Sequence, residues 1–91
     1  MAHTLKDRVK LLNRAKRIRG QIDGVIRMLE SDGDCTKILN TIVASRGAIN
    51  GFLAELIEGH IMDHVLNPHT ATDEQLKSAE ELNVIIKKYI K

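Results

Sequence analysis

The chain has 91 residues, of which 43% are hydrophobic and only 2% aromatic, and its formal net charge is +2. This length limits the chain to one domain, and the scarcity of aromatics favours Leu/Ile/Ala helices over a β-sandwich. The single cysteine excludes an internal disulfide and is typical of a reducing cytosol. No apolar run approaches the ~20 residues of a membrane span, so we expect a cytoplasmic protein with no membrane association.

Positive charge is concentrated at the start of the chain. Seven of the fourteen Lys and Arg residues lie in the first nineteen positions, where the only acidic residue is Asp7. The remaining 72 residues carry seven basic and eleven acidic residues. This asymmetry suggests that the N-terminal end contacts a polyanion.

Helical periodicity predicts a first helix from about residue 5 to 30, ending at Ser31-Asp32-Gly33 with Gly33 as its C-terminal glycine. Its apolar stripe comprises Leu5, Val9, Leu12, Ile18, Ile22, Ile26 and Leu29. Asp34 caps a second helix, which we expect to continue for about 32 residues without a break before Asn67-Pro68.

After a linker over residues 68–71, the capping-box spacing of Thr72 and Gln75 predicts a short third helix. Its apolar stripe comprises Leu76, Ala79, Leu82, Ile86 and Tyr89. The predicted fold is therefore an all-α, three-helix protomer, with residues 1–91 forming a single domain.

The short connection at residues 31–34 predicts that the first two helices form an antiparallel hairpin. Facing residues then have numbers that add up to about 67, so Gly20 faces Gly47. Glycine inside a helix costs about 1 kcal/mol, so these glycines and their neighbours Gly24 and Gly51 predict close backbone approach. The long second helix has too few partners within one chain, so we expect an obligate oligomer.

Two histidines on the second helix are candidate metal ligands. His60 and His64 are spaced i and i+4, which places two imidazoles on one face of the helix. The spacing alone equally describes a hydrated polar patch.

Cys35 lies in the first turn of the same helix, where the positive end of the helix dipole favours the metal-binding thiolate. The plainer interpretation of a lone cysteine is an inert, half-buried side chain.

Cys35 and His60 are 25 positions apart on one helix, or roughly 37 Å, so they cannot share a site within one chain. If two copies of the second helix cross antiparallel about a symmetry axis near residue 47.5, Cys35 of one chain faces His60 of the other. The hairpin rule also places His3 opposite His64. The α-amine of Ala2, exposed after removal of Met1, is a fifth candidate donor.

Several nitrogens and one thiolate suit Ni(II), Co(II) or Zn(II) better than Cu(I), which prefers more sulfur. Five or six donors favour nickel or cobalt over tetrahedral zinc. We interpret His69, in the linker, as solvated.

Lys10, Arg14 and Arg17 form a basic ridge on the first helix, which Lys6 extends. A solvated surface is the commoner explanation of such charges, but the helix carries almost no acidic residues to pair with them. The scarcity of aromatics argues against single strands and RNA loops, so we expect contacts to the phosphates of duplex DNA.

The chain lacks a Gly-rich phosphate loop and a nucleophile motif, so we expect no nucleotide cofactor and no enzyme activity.

Several stretches resemble the CsoR/RcnR/FrmR family of small all-helical bacterial repressors, over essentially the whole chain. These stretches are Arg17-Ile18-Arg19-Gly20-Gln21-Ile22, Cys35 with Ile38-Leu39, Arg46-Gly47-Ala48 through Asn50-Gly51, and Glu55 with His60. The resemblance implies a dimer of hairpins, forming a four-helix bundle, that assembles into a tetramer. It also implies a repressor that releases double-stranded operator DNA when its effector binds at Cys35. By analogy, the DNA contacts are Arg14, Lys16, Arg17 and Arg19.

Within that family the site residues distinguish the effectors. Copper sensors carry a second cysteine where this chain has His64, and formaldehyde sensors use an N-terminal proline where it has Ala2. His3, Cys35, His60 and His64 together resemble the nickel/cobalt RcnR type, which controls metal efflux. The alternatives are an aldehyde- or thiol-reactive repressor of the FrmR type using Cys35, a Zn(II) or Cu(I) sensor, and a structural adaptor without an effector.

Overall fold

The computed structural model describes residues 5–67 and 69–90. Three α-helices, α1 (Leu5–Glu30), α2 (Cys35–His60) and α3 (Asp73–Tyr89), account for most of them, and a single π-helical turn (Ile61–Val65) continues α2 directly. These described ranges contain no strand. The predicted all-α, three-helix protomer is confirmed.

The turn between α1 and α2 closes through a backbone hydrogen bond from Gly33 N–H to the Met28 carbonyl, at 2.6 Å. The left-handed residue is Asp32, with φ of 58°. α1 ends where predicted and Gly33 closes the turn, but Gly33 is not the left-handed residue. Gly33 is required by space instead, because a Cβ there would lie 2.9 Å from the Met28 carbonyl oxygen. Asp34 caps α2 as predicted, accepting from Thr36 N–H at 3.0 Å.

α1 packs against α2 along a seam with heptad spacing. The seam side chains are buried or half-buried: Leu11, Ile18 and Val25 on α1, and Ile38, Ser45 and Phe52 on α2. Ser45 is only 2% exposed, and its hydroxyl donates to the Thr41 carbonyl at 2.8 Å. Contacts of Arg14 with Glu55 and Gly51 agree with the predicted antiparallel register.

The predicted close approach of Gly20 to Gly47 is wrong within the hairpin. A Cβ built on either glycine meets no atom within 4 Å, and at Gly24 the nearest is a guanidinium nitrogen of Arg27 at 3.8 Å. Of the four glycines Gly20, Gly24, Gly47 and Gly51, only Gly51 is confined, with Arg14 Nη1 3.1 Å from its virtual Cβ. Gly20 and Gly47 are both exposed, so neither lies in the seam between α1 and α2.

Each helix of the hairpin carries a second apolar face that points away from the seam. Most of the predicted α1 stripe lies there, namely Val9, Leu12, Ile22, Ile26 and Leu29, all of them exposed. The corresponding residues of α2 are Leu39, Ile42, Val43, Ile49 and Leu53. The predicted α1 stripe is therefore not the intrachain packing face, although Ile18 belongs to both.

The backbone after His60 stays helical, as predicted, but changes from α to π. Leu66 N–H donates to the Ile61 carbonyl at 2.9 Å, a bond that spans five residues.

The predicted capping box opens α3: Gln75 N–H donates to Thr72 Oγ1 at 3.1 Å and Thr72 N–H to Gln75 Oε1 at 2.9 Å.

α3 packs against the rest of the protomer through a face that overlaps most of the predicted stripe. Ala79 and Asn83 are buried and Leu76 and Ile86 half-buried, whereas Leu82 and Tyr89 are exposed. The predicted stripe is therefore correct for Leu76, Ala79 and Ile86 but wrong for Leu82 and Tyr89.

The protomer is an open slab with extents of 57 × 27 × 14 Å. Its radius of gyration is 17.2 Å, against about 12 Å for a compact domain of this length. It exposes 6901 Å², whereas a compact monomer of 10.2 kDa exposes about 5,300 Å². The buried apolar side chains of the described residues are Val25, Ala54, Ile61 and Ala79, too few for an ordinary core. None of the described helices is long and apolar enough to cross a membrane.

Candidate metal centre and basic surface

The π turn begins directly after one candidate ligand and contains the other. His60 is its N-cap and His64 lies near its end. The centroids of the two imidazole rings are 5.2 Å apart, with 34° between the ring planes. Both side chains are exposed. π turns are rare and occur frequently at functional sites. In this one, the two imidazole rings are close enough to bind the same metal ion.

The hairpin places the start of α1 beside this turn. A groove of about 310 Å³ is lined from α1 by Asp7, Lys10 and Leu11, and from the other side by Gly59, Met62 and Asp63 among others. The first turns of α1 therefore lie beside the helical segment that contains His60 and His64. The predicted ligands His3 and Ala2 themselves lie outside the described residues.

Cys35 is exposed at the first position of α2. His60 is the last residue of the same uninterrupted helix of 26 residues, which places it about 37 Å from Cys35. The structure therefore keeps these two predicted ligands apart within one chain, as the sequence requires. In keeping with this separation, no three His, Cys, Asp or Glu side chains among the described residues converge on a single point.

The predicted DNA-contacting residues of α1 form two groups. Lys16, Arg17 and Arg19 are exposed and make no ion pair with any residue that the structure describes. Lys10 and Arg14 instead share one carboxylate from α2. Lys10 Nζ lies 2.8 Å from Glu55 Oε1, and Arg14 Nε lies 2.8 Å from Glu55 Oε2.

The charge pattern of the first helix did not predict Glu55 as the partner of Lys10 and Arg14, because Glu55 lies on the second helix. The contact could have been found from the hairpin rule, in which the numbers of facing residues add up to about 67. This rule places Glu55 opposite residue 12, between the two cations. Glu55 Oε2 is buried and accepts no aligned hydrogen bond. The contact with Arg14 is therefore a close charge pair with imperfect hydrogen-bond geometry.

His69 lies in the linker, exposed as predicted, and its backbone N–H donates to Asn67 Oδ1 at 2.9 Å. Nothing in the described part of the chain brings its ring to the His60–His64 pair.

The family model of metal-sensitive transcriptional repressors matches residues 7–88. The chain belongs to this family. It is 38% identical over 87 residues to the transcriptional repressor RcnR of Escherichia coli strain K12, covering 96% of this chain and 92% of that protein. An uncharacterized protein from the bioA 5′ region of Serratia marcescens is also 38% identical, over 91 residues and the full length of both chains.

A solved structure agrees with the sequence relatives. A variant of the Formaldehyde-Responsive Regulator FrmR from Salmonella enterica serovar Typhimurium superposes with a TM-score of 0.70 at 37% identity, covering 96% of this chain and 98% of that chain. The predicted resemblance and the predicted all-α, three-helix protomer are confirmed. The family consists of transcriptional repressors, which are regulatory proteins and not enzymes.

Proposed function

We propose that this protein is a cytoplasmic repressor that binds operator DNA in its metal-free form and releases it on binding Ni(II) or Co(II), controlling metal efflux. In this proposal residues 1–91 act as one DNA-binding and metal-sensing domain. The metal ligands are His3, His60 and His64 of one protomer and Cys35 of the partner subunit, with the α-amine of Ala2 as a further donor. The DNA contacts are Lys10, Arg14, Lys16, Arg17 and Arg19.

The observation that carries the proposal is the pattern of the exposed face of α2. Its residues recur at alternating intervals of four and three, and they run from Cys35 through Leu39, Ile42, Arg46, Ile49, Leu53 and the half-buried Leu56 to His60. This series is symmetric about residue 47.5, so an antiparallel copy of α2 pairs Ile42 with Leu53 and Cys35 with His60. One self-complementary interface thus covers the apolar face and completes both ligand sets.

The exposed area supports an assembly of this kind. The protomer exposes 6901 Å², about 1,600 Å² more than a compact monomer of its mass would expose. Obligate interfaces bury area on that scale. The second apolar face of α1 and the outward side chains of α3 remain for a further interface, as in the dimer of dimers that we propose.

The donor set fits a borderline divalent ion. Two imidazoles 5.2 Å apart, a third imidazole, an amine and one thiolate favour Ni(II) or Co(II), with Zn(II) as an alternative effector. A bound ion would supply a cross-link between the N-terminal residues and α2. We expect that this cross-link changes the placement of the basic residues of α1. A coupling of ~1–3 kcal/mol corresponds to a 5–150-fold loss of DNA affinity.

A metal-by-metal release assay tests the proposal. Metal-free protein is titrated against labelled operator-region DNA, and Ni(II), Co(II), Zn(II) or Cu(I) is added separately while absorption spectra report thiolate charge transfer. Release by nickel or cobalt with a thiolate band supports the proposal. Failure of the metal-free protein to bind duplex DNA would contradict repression and favour the adaptor alternative.

The His3→Leu variant tests the part of the N-terminal residues. Because His3 is proposed only as a ligand, we expect metal-free DNA affinity within about twofold of the unmodified protein and at least tenfold less metal-induced release. His69→Leu is the matched control, since His69 lies in the linker. Equal metal response in both variants would exclude His3 from the mechanism.

A second candidate function rests on the exposure of Cys35 and the structural match to the FrmR variant. An exposed thiol at a helix N-terminus can add to an aldehyde, and the amine of Ala2 could serve as the second nucleophile. Formaldehyde is therefore included as an effector in the release assay. DNA release by formaldehyde with a mass increase on Cys35, and no release by any metal, would favour this candidate.

A further inference from the structure

Glu55 of α2 contacts two cations of α1 with its two carboxylate oxygens. Lys10 Nζ lies 2.8 Å from Oε1, and Arg14 Nε lies 2.8 Å from Oε2. Lys10 and Arg14 are one turn apart on α1, so a single carboxylate bridges adjacent turns of the basic ridge. The bridge lies where α1 and α2 face each other, and it reduces the local charge of this pair of cations from +2 to +1.

The three side chains differ in exposure. Glu55 is 21% exposed, Arg14 39% and Lys10 63%. The carboxylate therefore lies towards the seam and the cations extend outward, where a polyanion can reach them. Lys16, Arg17 and Arg19, further along α1, have no such acidic partner among the described residues. The basic residues of α1 thus comprise one pair whose charge is partly neutralised by Glu55 and a second group that has no acidic partner among the described residues.

We infer that Glu55 is an internal competitor of DNA phosphate for Lys10 and Arg14. This inference rests on the proposed DNA-binding function of α1. A carboxylate and a phosphate are alternative partners for the same ammonium or guanidinium group, and both form charge-assisted hydrogen bonds with it. DNA contacts by Lys10 and Arg14 must displace or share Glu55, so the bridge limits the affinity of the metal-free protein for any duplex.

A purely structural role for Glu55 makes a different prediction. If the bridge only fastened α1 to α2, its removal would loosen the hairpin and weaken DNA binding. Internal competition predicts instead that removal of the bridge strengthens DNA binding. It also predicts a steeper dependence of affinity on salt, because each additional phosphate contact releases further counterions.

The test compares Glu55→Gln with Glu58→Gln in metal-free protein, using titrations of duplex DNA at several salt concentrations. Gln keeps the shape of the side chain and removes its charge. Glu58 is the matched control, because it lies one turn away on α2 and pairs with Lys87 of α3 at 2.9 Å instead of with α1. Both variants change the net charge equally, so any difference between them reports the local bridge.

We expect Glu55→Gln to bind DNA about three- to tenfold more tightly than Glu58→Gln at ~0.1 M salt, with a salt slope steeper by about one. In a Lys10→Gln background the difference in DNA affinity between Glu55→Gln and Glu58→Gln should shrink, because one of the two cations that Glu55 contacts is absent. Circular dichroism checks that each variant keeps its helicity.

Three results would overturn the inference: equal affinity of the two glutamine variants, weaker binding by a helical Glu55→Gln protein, or an advantage undiminished by Lys10→Gln. The result for the unmodified protein separates this inference from the proposed function. If the unmodified protein does not bind duplex DNA, the proposed function fails. If it binds but Glu55→Gln behaves like Glu58→Gln, only the role of Glu55 fails.

Discussion

Asp32 and Gly33 divide between them two tasks that a single glycine often performs at the end of a helix. Asp32 adopts the left-handed conformation at φ 58°, which aspartate tolerates better than most residues. Gly33 then donates to the Met28 carbonyl, the six-to-one bond of a Schellman motif. The hairpin turn therefore depends on glycine at position 33 for space and only weakly on the side chain at position 32.

This division predicts different effects for two neighbouring substitutions. Gly33→Ala should lower the free energy of unfolding by about 1–3 kcal/mol, because its Cβ would press on the Met28 backbone. Asp32→Gly should leave it unchanged or raise it by up to about 1 kcal/mol, because glycine adopts this φ without strain. Chemical denaturation at one fixed protomer concentration measures both. Equal destabilisation by the two substitutions would contradict this account of the turn.

Local features at this scale were predictable where one short stretch contains all the interacting groups. The Asp34 cap and the Thr72–Gln75 capping box are of this kind, as is the pairing of His60 with His64. The left-handed residue was not predictable, because Asp32 and Gly33 can both occupy that conformation and the closing hydrogen bond decides between them. Glu55 was missed because its partners lie on another helix.

At the scale of elements, α2 carries two different faces along the same 26 residues. One face packs against α1 through residues such as Ile38, Ser45 and Phe52, and the other leaves Leu39 and Ile49 exposed. A period of about 3.5 residues fits both faces, so apolar periodicity predicted the helix but not which residues meet α1. The π turn was also unpredictable, since the apolar pattern does not distinguish a five-residue hydrogen bond from a four-residue one.

The exposed face of α2 leads to a complementation experiment. Cys35→Ser and His60→Leu proteins should each lose the thiolate–metal absorption of the complete site. If they are unfolded together and refolded as an equal mixture, half of the dimers pair one chain of each kind and contain one intact site. We therefore expect the mixture to recover about one quarter of the sites of the unmodified protein.

A mixture of unmodified chains with the Cys35→Ser/His60→Leu double variant is the control for subunit exchange. It should also show about one quarter of the sites if the ligands come from two chains, but about one half if each chain holds its own site. No recovery in the first mixture together with one half in the control would exclude the shared site.

At the scale of the whole molecule, the protomer is a slab only 14 Å thick in its smallest extent. Helices with two apolar faces cannot bury both of them in a single layer. The expectation of an oligomer came from the length of α2, which has one hairpin partner and one short third helix in its own chain. Which apolar faces stay exposed was not predictable, because exposure depends on how α1 and α3 rotate about their own axes when they pack.

Ile42→Asp tests the proposed interface. Ile42 is exposed in the protomer but would be buried against Leu53 of the partner subunit, and an unpaired buried carboxylate costs several kcal/mol. We expect loss of the oligomer by light scattering together with most of the helical circular dichroism, because the isolated slab has little core. Asn40→Asp, at an exposed position of the same helix, should change neither. A stable helical monomer of Ile42→Asp would contradict obligate assembly.

The thinness of the slab has a consequence for the life of the protein in the cell. A chain whose interior is formed largely by its neighbours is poorly protected from proteases until it has found them. Newly synthesised chains at low abundance would be degraded before they pair, whereas chains already paired would persist. The steady amount of active regulator would then rise more steeply than its rate of synthesis, so a modest change in expression would switch it between scarce and abundant.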